Sequence, residues 1–358
     1  MKPLPCQVDA AKPSDFVRRR LVRAIALAPA IHSITALGQT EPVPTAAQIS
    51  SASITLAYSD QVIVDRLTGR KIGVRIRLPA QQKPTGLILY SPGLGSGLSN
   101  GAAWCASWQV AGYVVVNLAH PVTDEAIWNT ERASFQENLK RALAPEQYTD
   151  RVKDCSAVLT HCLNDSVIKP YIDPNRIGIA GHSYGALTVQ AITGQLLGGQ
   201  NLRDARIRAA IAFSPGAASA ERAHQMSKVN IPFFSVTGDH DQYVTFKDGK
   251  SSMRLGMALE KRLMIYEQLP VGHKQLLIMA NADHMTFAGE PVDTDRYSRD
   301  VKTHPGEELS QWSRMSEMSK VFWQYYLSAS INLNDADQTM FKTQLTHYQG
   351  AGDVLKFG

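Results

Sequence analysis

The 358-residue chain is expected to fold as an α/β protein on a mostly parallel, doubly wound sheet, with an antiparallel N-terminal hairpin at the edge. Three observations predict this. Short apolar runs, among them Leu87-Ile88-Leu89-Tyr90, Tyr113 to Leu118, Ile177 to Ala180 and Arg208 to Phe213, read as buried parallel strands. Segments with apolar residues at helical spacing alternate with those runs, as in βαβ units. Upstream, Ile54 to Val64 and Ile72 to Leu78 flank a turn at Asp65-Arg66-Leu67-Thr68-Gly69, and Val74-Arg75-Ile76-Arg77-Leu78 alternates apolar with charged residues. That is a hairpin with one covered and one wet face.

Taking the chain in order, residues 1–38 read as an export signal of twin-arginine type. Arg18-Arg19-Arg20-Leu21-Val22-Arg23 precedes a modestly apolar run, Ala24 to Leu37, and Ala36-Leu37-Gly38 is a small-x-small cleavage candidate. The run is too short and too polar to span a bilayer, so no integral membrane segment is expected in the mature chain, which would be periplasmic or secreted. Six of the 37 basic residues and two of the 32 acidic ones fall in this segment, leaving a nearly neutral body. Such a balance argues against nucleic acid as a partner. Residues 39–53, with Pro42 and Pro44, read as a linker, residues 54–330 as the folded domain and residues 331–358 as a C-terminal tail.

The strand Leu87 to Tyr90 runs into Ser91-Pro92-Gly93-Leu94-Gly95-Ser96-Gly97. This loop is no dinucleotide fingerprint, because Leu98 stands where the third glycine belongs, and no Gly-Lys-Ser/Thr makes it a phosphate loop. It reads as an oxyanion loop, with the backbone N–H of Leu94 as one donor and that of Tyr184 as the other. A helix follows, with Trp104, Cys105, Trp108 and Val110 as apolar positions. The insertion Thr123 to Pro145 is polar and helical, either a partial cap or a surface helix. Trp104 and Trp128, with Trp108, could line an apolar substrate cleft or simply pack. His120, at a strand end, could support the site or be a structural histidine. The helix Gln147 to Leu163 carries a core-facing stripe. Its Cys155 and Cys162 would lie about 10 Å apart along the axis, too far for a disulfide. With Cys105 they read as buried thiols, while Cys6 would leave with the signal.

The chain is organised around Arg176-Ile177-Gly178-Ile179-Ala180-Gly181-His182-Ser183-Tyr184-Gly185. A strand, a sharp turn holding Gly181-x-Ser183-x-Gly185 and a helix form the context of a nucleophile elbow, which lifts a serine hydroxyl above the sheet edge. Serine needs a base, and the base needs an orienting acid. Ile231 to Thr237 ends in Gly238-Asp239-His240-Asp241, where Asp241 is favoured over Asp239 by spacing. The strand Lys274 to Ala280 runs into Asn281-Ala282-Asp283-His284. His284 is favoured as base over His240, His273 and His304 because it follows the last strand. Leu309, Trp312, Met315, Met318, Val321 and Phe322 then mark a closing helix.

Together, Ser91-Pro92-Gly93-Leu94-Gly95, the elbow with its lead-in Ile172-Asp173-Pro174-Asn175, Gly238-x-x-Asp241 and Asp283-His284 resemble the α/β-hydrolase superfamily. More narrowly, they resemble the dienelactone-hydrolase-like group related to platelet-activating-factor acetylhydrolase, over roughly residues 54–327. The chain departs from that group in having Pro92 where a histidine is frequent, and from dienelactone hydrolases in having serine, not cysteine, as nucleophile. The resemblance implies a serine esterase acting on a small-molecule, lipid or polymeric ester, with Ser183, Asp241 and His284 as the triad. That chemistry needs no metal or organic cofactor. An amidase or peptidase with the same triad, and a non-catalytic binding protein on the same fold, are the alternatives.

Overall fold

In the computed structural model, which describes residues 57–299, 305–328 and 334–358, the N-terminal hairpin is formed by β1 (Tyr58–Val64) and β2 (Lys71–Arg77). The two strands pair antiparallel from Tyr58 opposite Arg77 to Val64 opposite Lys71. The expected export signal, the linker, Cys6 and His304 lie outside the described residues.

The apolar runs form the central sheet. In chain order come β3 (Thr85–Ser91), α1 (Ala102–Val110), β4 (Val114–Ala119), α2 (Phe135–Ala142), α3 (Pro145–Asn164), β5 (Ile172–His182), α4 (Tyr184–Thr193) and β6 (Ile207–Phe213). There follow α5 (Ala220–His224), β7 (Phe233–His240), β8 (Tyr243–Lys247), β9 (Ser252–Gly256), α6 (Leu259–Gln268), β10 (Lys274–Asp283), β11 (Tyr297–Arg299), α7 (Pro305–Tyr326), α8 (Asp335–His347) and β12 (Val354–Phe357). The sheet order is β1-β2-β4-β3-β5-β6-β7-β10-β12. It is parallel from β4 through β10, and β2 and β12 pair antiparallel at its two sides. The molecule is thus a mixed α/β protein with a largely parallel central sheet.

Strand periodicity sends alternate side chains to opposite faces. Leu87 and Leu89 join a core with Val158 and Leu159 of α3 and Val189 of α4. Ile88 and Tyr90 join the other core, with Trp104 and Trp108 of α1 and Phe322 and Trp323 of α7. Both faces are covered, so every residue of β3 is buried. Helix starts follow local chemistry. Ser134 and Glu137 make a capping box at α2, and Pro145 occupies the first turn of α3, where its missing N–H costs nothing. Among the described residues, no helix is long and apolar enough to cross a membrane.

Two segments depart from expectation. The residues read as a C-terminal tail form α8 and β12 from residue 335 onward. Asn334 caps α8 through the Asp337 N–H at 3.0 Å, Phe341 and Leu345 are buried, and Gln275 to Ile278 of β10 pair with Phe357 to Val354. Only two deeply buried positions in this helix carry its apolar face, too few to stand out in sequence. The helical Thr123–Pro145 insertion packs against a second, unexpected antiparallel sheet in the order β11-β8-β9. Ile127, Phe135 and Leu139 pack with Val244, Phe246 and Tyr297 over the carboxyl ends of the strands.

Candidate active site

β3 and β5 lie side by side, yet the chain leaves β3 for β4 on one side and returns to β5 on the other. In open α/β sheets, ligands bind at the carboxyl ends of strands flanking such a reversal. Ser183 follows β5 at this point, and the loop Pro92 to Gly97 follows β3.

Ser183 sits at φ 56°, ψ −113°, a strained conformation that over-determined sites hold. Its neighbours explain the two glycines. A Cβ on Gly185 would lie 1.9 Å from the Ser91 carbonyl oxygen, and one on Gly181 2.6 Å from that of Gly185. Backbone cannot yield as a side chain can, so the strand, turn and helix can pass only where both residues lack a side chain.

Three elements bring the polar groups together. The Ser183 hydroxyl donates to His284 Nε2 at 2.8 Å, and His284 Nδ1–H donates to Asp241 Oδ1 at 2.8 Å. Thr237 Oγ1 donates to the other oxygen, Asp241 Oδ2, at 2.8 Å. His284 opens a turn after β10 that is held by Asp283, which accepts from the Thr286 N–H at 2.9 Å and pairs with Arg299 at 2.6 Å. The Arg262 guanidinium of α6 reaches Asp241 Oδ1 at 3.0 Å, so two donors converge on one oxygen. Burial alone would raise the Asp241 pKa. The Arg262 charge and then the His284 hydrogen bond outweigh it and hold the carboxyl well below the usual range.

The glycine loop leaves one donor over. Gly93 N–H donates to Asn100 Oδ1 at 3.3 Å, Gly95 N–H to Thr123 O at 2.9 Å and Ser96 N–H to Gly93 O at 3.3 Å. From Gly93 to Ser96, the Leu94 N–H alone meets no acceptor among the described residues. Because N–H and C=O oppose each other across a trans peptide, tying Gly93 O into the turn directs the Leu94 N–H the other way. Tyr184 opens α4, so its N–H has no helical carbonyl to bond. Leu94, Ser183, Tyr184 and His284 all line a cavity of about 210 Å³, whose remaining wall is largely apolar, with Leu143, Leu187, Val244, Phe246 and Met257. The arrangement can move a proton from Ser183 to His284 while two backbone donors face the same space. No family model and no curated protein matches this chain.

The sequence rivals fall elsewhere. Asp239 and His240 are exposed, and so is His273. His120 is buried away from Ser183, with its Nδ1 3.0 Å from Asp154 and its Nε2 3.0 Å from Ser91 Oγ. Neither tryptophan proposed for substrate lines the cavity. Trp104 is fully buried and stacks on Phe213 with ring centres 4.8 Å apart, because α1 turns it onto the sheet. Trp128 is sandwiched between Phe135 and Phe246, and its indole N–H donates to Gly95 O at 2.8 Å, so it buttresses the glycine loop. The cysteines Cys105, Cys155 and Cys162 are free and buried.

Arg262 and Ser214 escaped the sequence reading. Arg262 also donates to the carbonyls of Asp241 at 2.6 Å and Ser214 at 2.8 Å, closing the floor behind His284. In the sequence it sits in Glu260-Lys261-Arg262, which looks like an ordinary charged helix surface.

Proposed function

We propose that this chain is a serine hydrolase of the α/β-hydrolase type that cleaves carboxylic esters through an acyl-enzyme. The observation that carries the reading is the Ser183–His284–Asp241 array, with both hydrogen bonds at 2.8 Å, at the wall of an apolar cavity. Ser183 Oγ attacks the carbonyl carbon as His284 Nε2 takes its proton. Asp241 holds the imidazole in the tautomer that leaves Nε2 free and stabilises the imidazolium. The backbone N–H groups of Leu94 and Tyr184 donate to the developing oxyanion. Collapse expels the alcohol, which leaves with the proton from Nε2, and water repeats the sequence to release the acid. The twin-arginine-like segment supports an exported enzyme.

The cavity, at about 210 Å³, is smaller than sites for drug-sized ligands, roughly 300–1,000 Å³, which favours short acyl groups. Turnover of p-nitrophenyl esters from acetate to palmitate tests the reading, with Ser183→Ala beside the wild type and matched anilides for amidase activity. The expected outcome is a profile weighted to short chains and a loss of about 10⁴-fold or more in the alanine variant. A wild type inert to every ester would overturn the esterase reading.

A further inference from the structure

Behind the proposed oxyanion site lies a second polar cluster that the reaction as written leaves unused. Arg151 of α3 is fully buried, and its guanidinium spans four segments. Its Nε donates to Thr188 Oγ1 of α4 at 3.1 Å, its Nη1 to Thr123 Oγ1 at 2.6 Å, and its Nη2 to Ser91 Oγ at 3.0 Å and to the Pro92 carbonyl. Its plane also rests 4.5 Å from the centre of the Tyr184 ring.

The direction of every link follows. His120 is held neutral, its pKa lowered to about 4 by burial first and by the Arg151 charge next. Asp154, which also pairs with Arg70 at 2.7 Å, accepts from His120 Nδ1–H, so His120 Nε2 accepts from the Ser91 hydroxyl. The Ser91 oxygen is then free to accept from Arg151. Ser91, His120 and Asp154 copy the order of a hydrolytic triad. Ser91 and His120 are wholly inaccessible, however, and the serine oxygen is occupied by a cation, so this cluster serves another purpose.

That purpose is legible in what Arg151 touches. Through Pro92 O it holds the peptide that enters the glycine loop. Thr123 adds a hold on the far side, because its carbonyl accepts the Gly95 N–H at 2.9 Å. Through Thr188, whose hydroxyl donates to the Tyr184 carbonyl at 3.2 Å, and through the Tyr184 ring, it holds the first turn of α4. The Pro92–Gly93 peptide, immediately before the one bearing the Leu94 N–H, and the residue bearing the Tyr184 N–H are thus tied to one rigid planar group.

We propose that Arg151 is a positioning residue that sets the two backbone oxyanion donors at a fixed separation, with Ser91, His120 and Asp154 orienting its guanidinium. This rests on the hydrolase reading above. Planarity and five fixed donors suit arginine to the task, and lysine cannot reproduce them. The benefit falls on the transition state, because donors placed for an oxyanion matter little to the bound ester.

The test compares wild type, Arg151→Lys, Arg151→Met, Thr123→Val and Thr188→Val on the best p-nitrophenyl ester. Thermal midpoint is measured beside kcat, KM and inhibition by a trifluoromethyl ketone, whose serine adduct carries an oxyanion. Misplaced donors are expected to lower kcat by about 10²-fold in Arg151→Met. KM should stay within about twofold, and ketone affinity should fall in parallel with kcat. Arg151→Lys should recover part of the loss, and the threonine variants should show a smaller loss of the same kind. Folded Arg151 variants with unchanged kcat and ketone affinity would overturn the inference. If neither Arg151 variant folds, unchanged kcat and ketone affinity in both threonine variants would overturn it alone. A wild type without ester turnover would overturn the hydrolase reading and this inference with it.

Discussion

Asp239 and Asp241 stand two residues apart, yet their surroundings differ completely. Asp239 is exposed, whereas Asp241 is fully buried with Thr237, Arg262 and His284 as partners. A buried carboxylate that orients a base cannot be replaced by its amide without forcing the wrong tautomer on the imidazole. Asp241→Asn is therefore expected to lose about 10⁴-fold in kcat, while Asp239→Asn keeps activity near wild type. Kinetics on the two variants check this, and the reverse pattern would move the acid to Asp239. The elbow glycines belong to the same scale. Their spacing was readable because the clash they avoid is of a Cβ against backbone atoms, which any neighbouring sequence would share.

At the scale of elements, the C-terminal helix and strand complete the sheet. β12 occupies the free edge of β10, which would otherwise present unpaired backbone groups. α8 supplies Phe341, which stacks on Tyr325 with ring centres 4.3 Å apart. Phe341→Ala is expected to cost about 3–5 kcal/mol of stability, the range for truncating a buried aromatic. Urea unfolding measures it, and a cost under about 0.5 kcal/mol, as for a surface change, would mean the segment is a tail after all. The glycine loop depends on its neighbours in the same way. Trp128 and Thr123 of the insertion and Arg151 of α3 arrive from two other segments to hold it, so its shape is not its own property.

At the scale of the molecule, buried histidines link stability to pH. Burial and nearby positive groups hold His120 at about 4 and His182 well below its ordinary value, so both are neutral in the fold. The unfolded chain takes up those protons below about pH 6.5. It then binds more protons than the native state, so stability is lost as pH falls from about 6.5 toward 4. His120 alone contributes on the order of 3 kcal/mol to that loss. Asp241, also shifted down, adds its own loss only below about pH 4. Unfolding free energies at pH 7 and pH 4.5 should therefore differ less in His120→Gln than in wild type. Equal differences in the two proteins would count against a neutral, buried His120.

The sequence by itself determined the alternation of strand and helix, the strand-turn-helix at Ser183 and the region of each proposed partner, because these depend on local periodicity, backbone sterics and chain order. Only the tertiary structure decided what long-range contact decides. Asp241 was separated from Asp239 by burial against α6, and Arg262 entered the site across 21 residues of chain. Trp104 was turned inward, and Trp128 was directed to the glycine loop instead of the cavity. His120 joined Arg151 and Ser91, which lie 60 residues apart, in a cluster no short motif announces. A side chain's chemistry is written in its residue type, but what it faces is set by which distant segments the sheet order brings beside it.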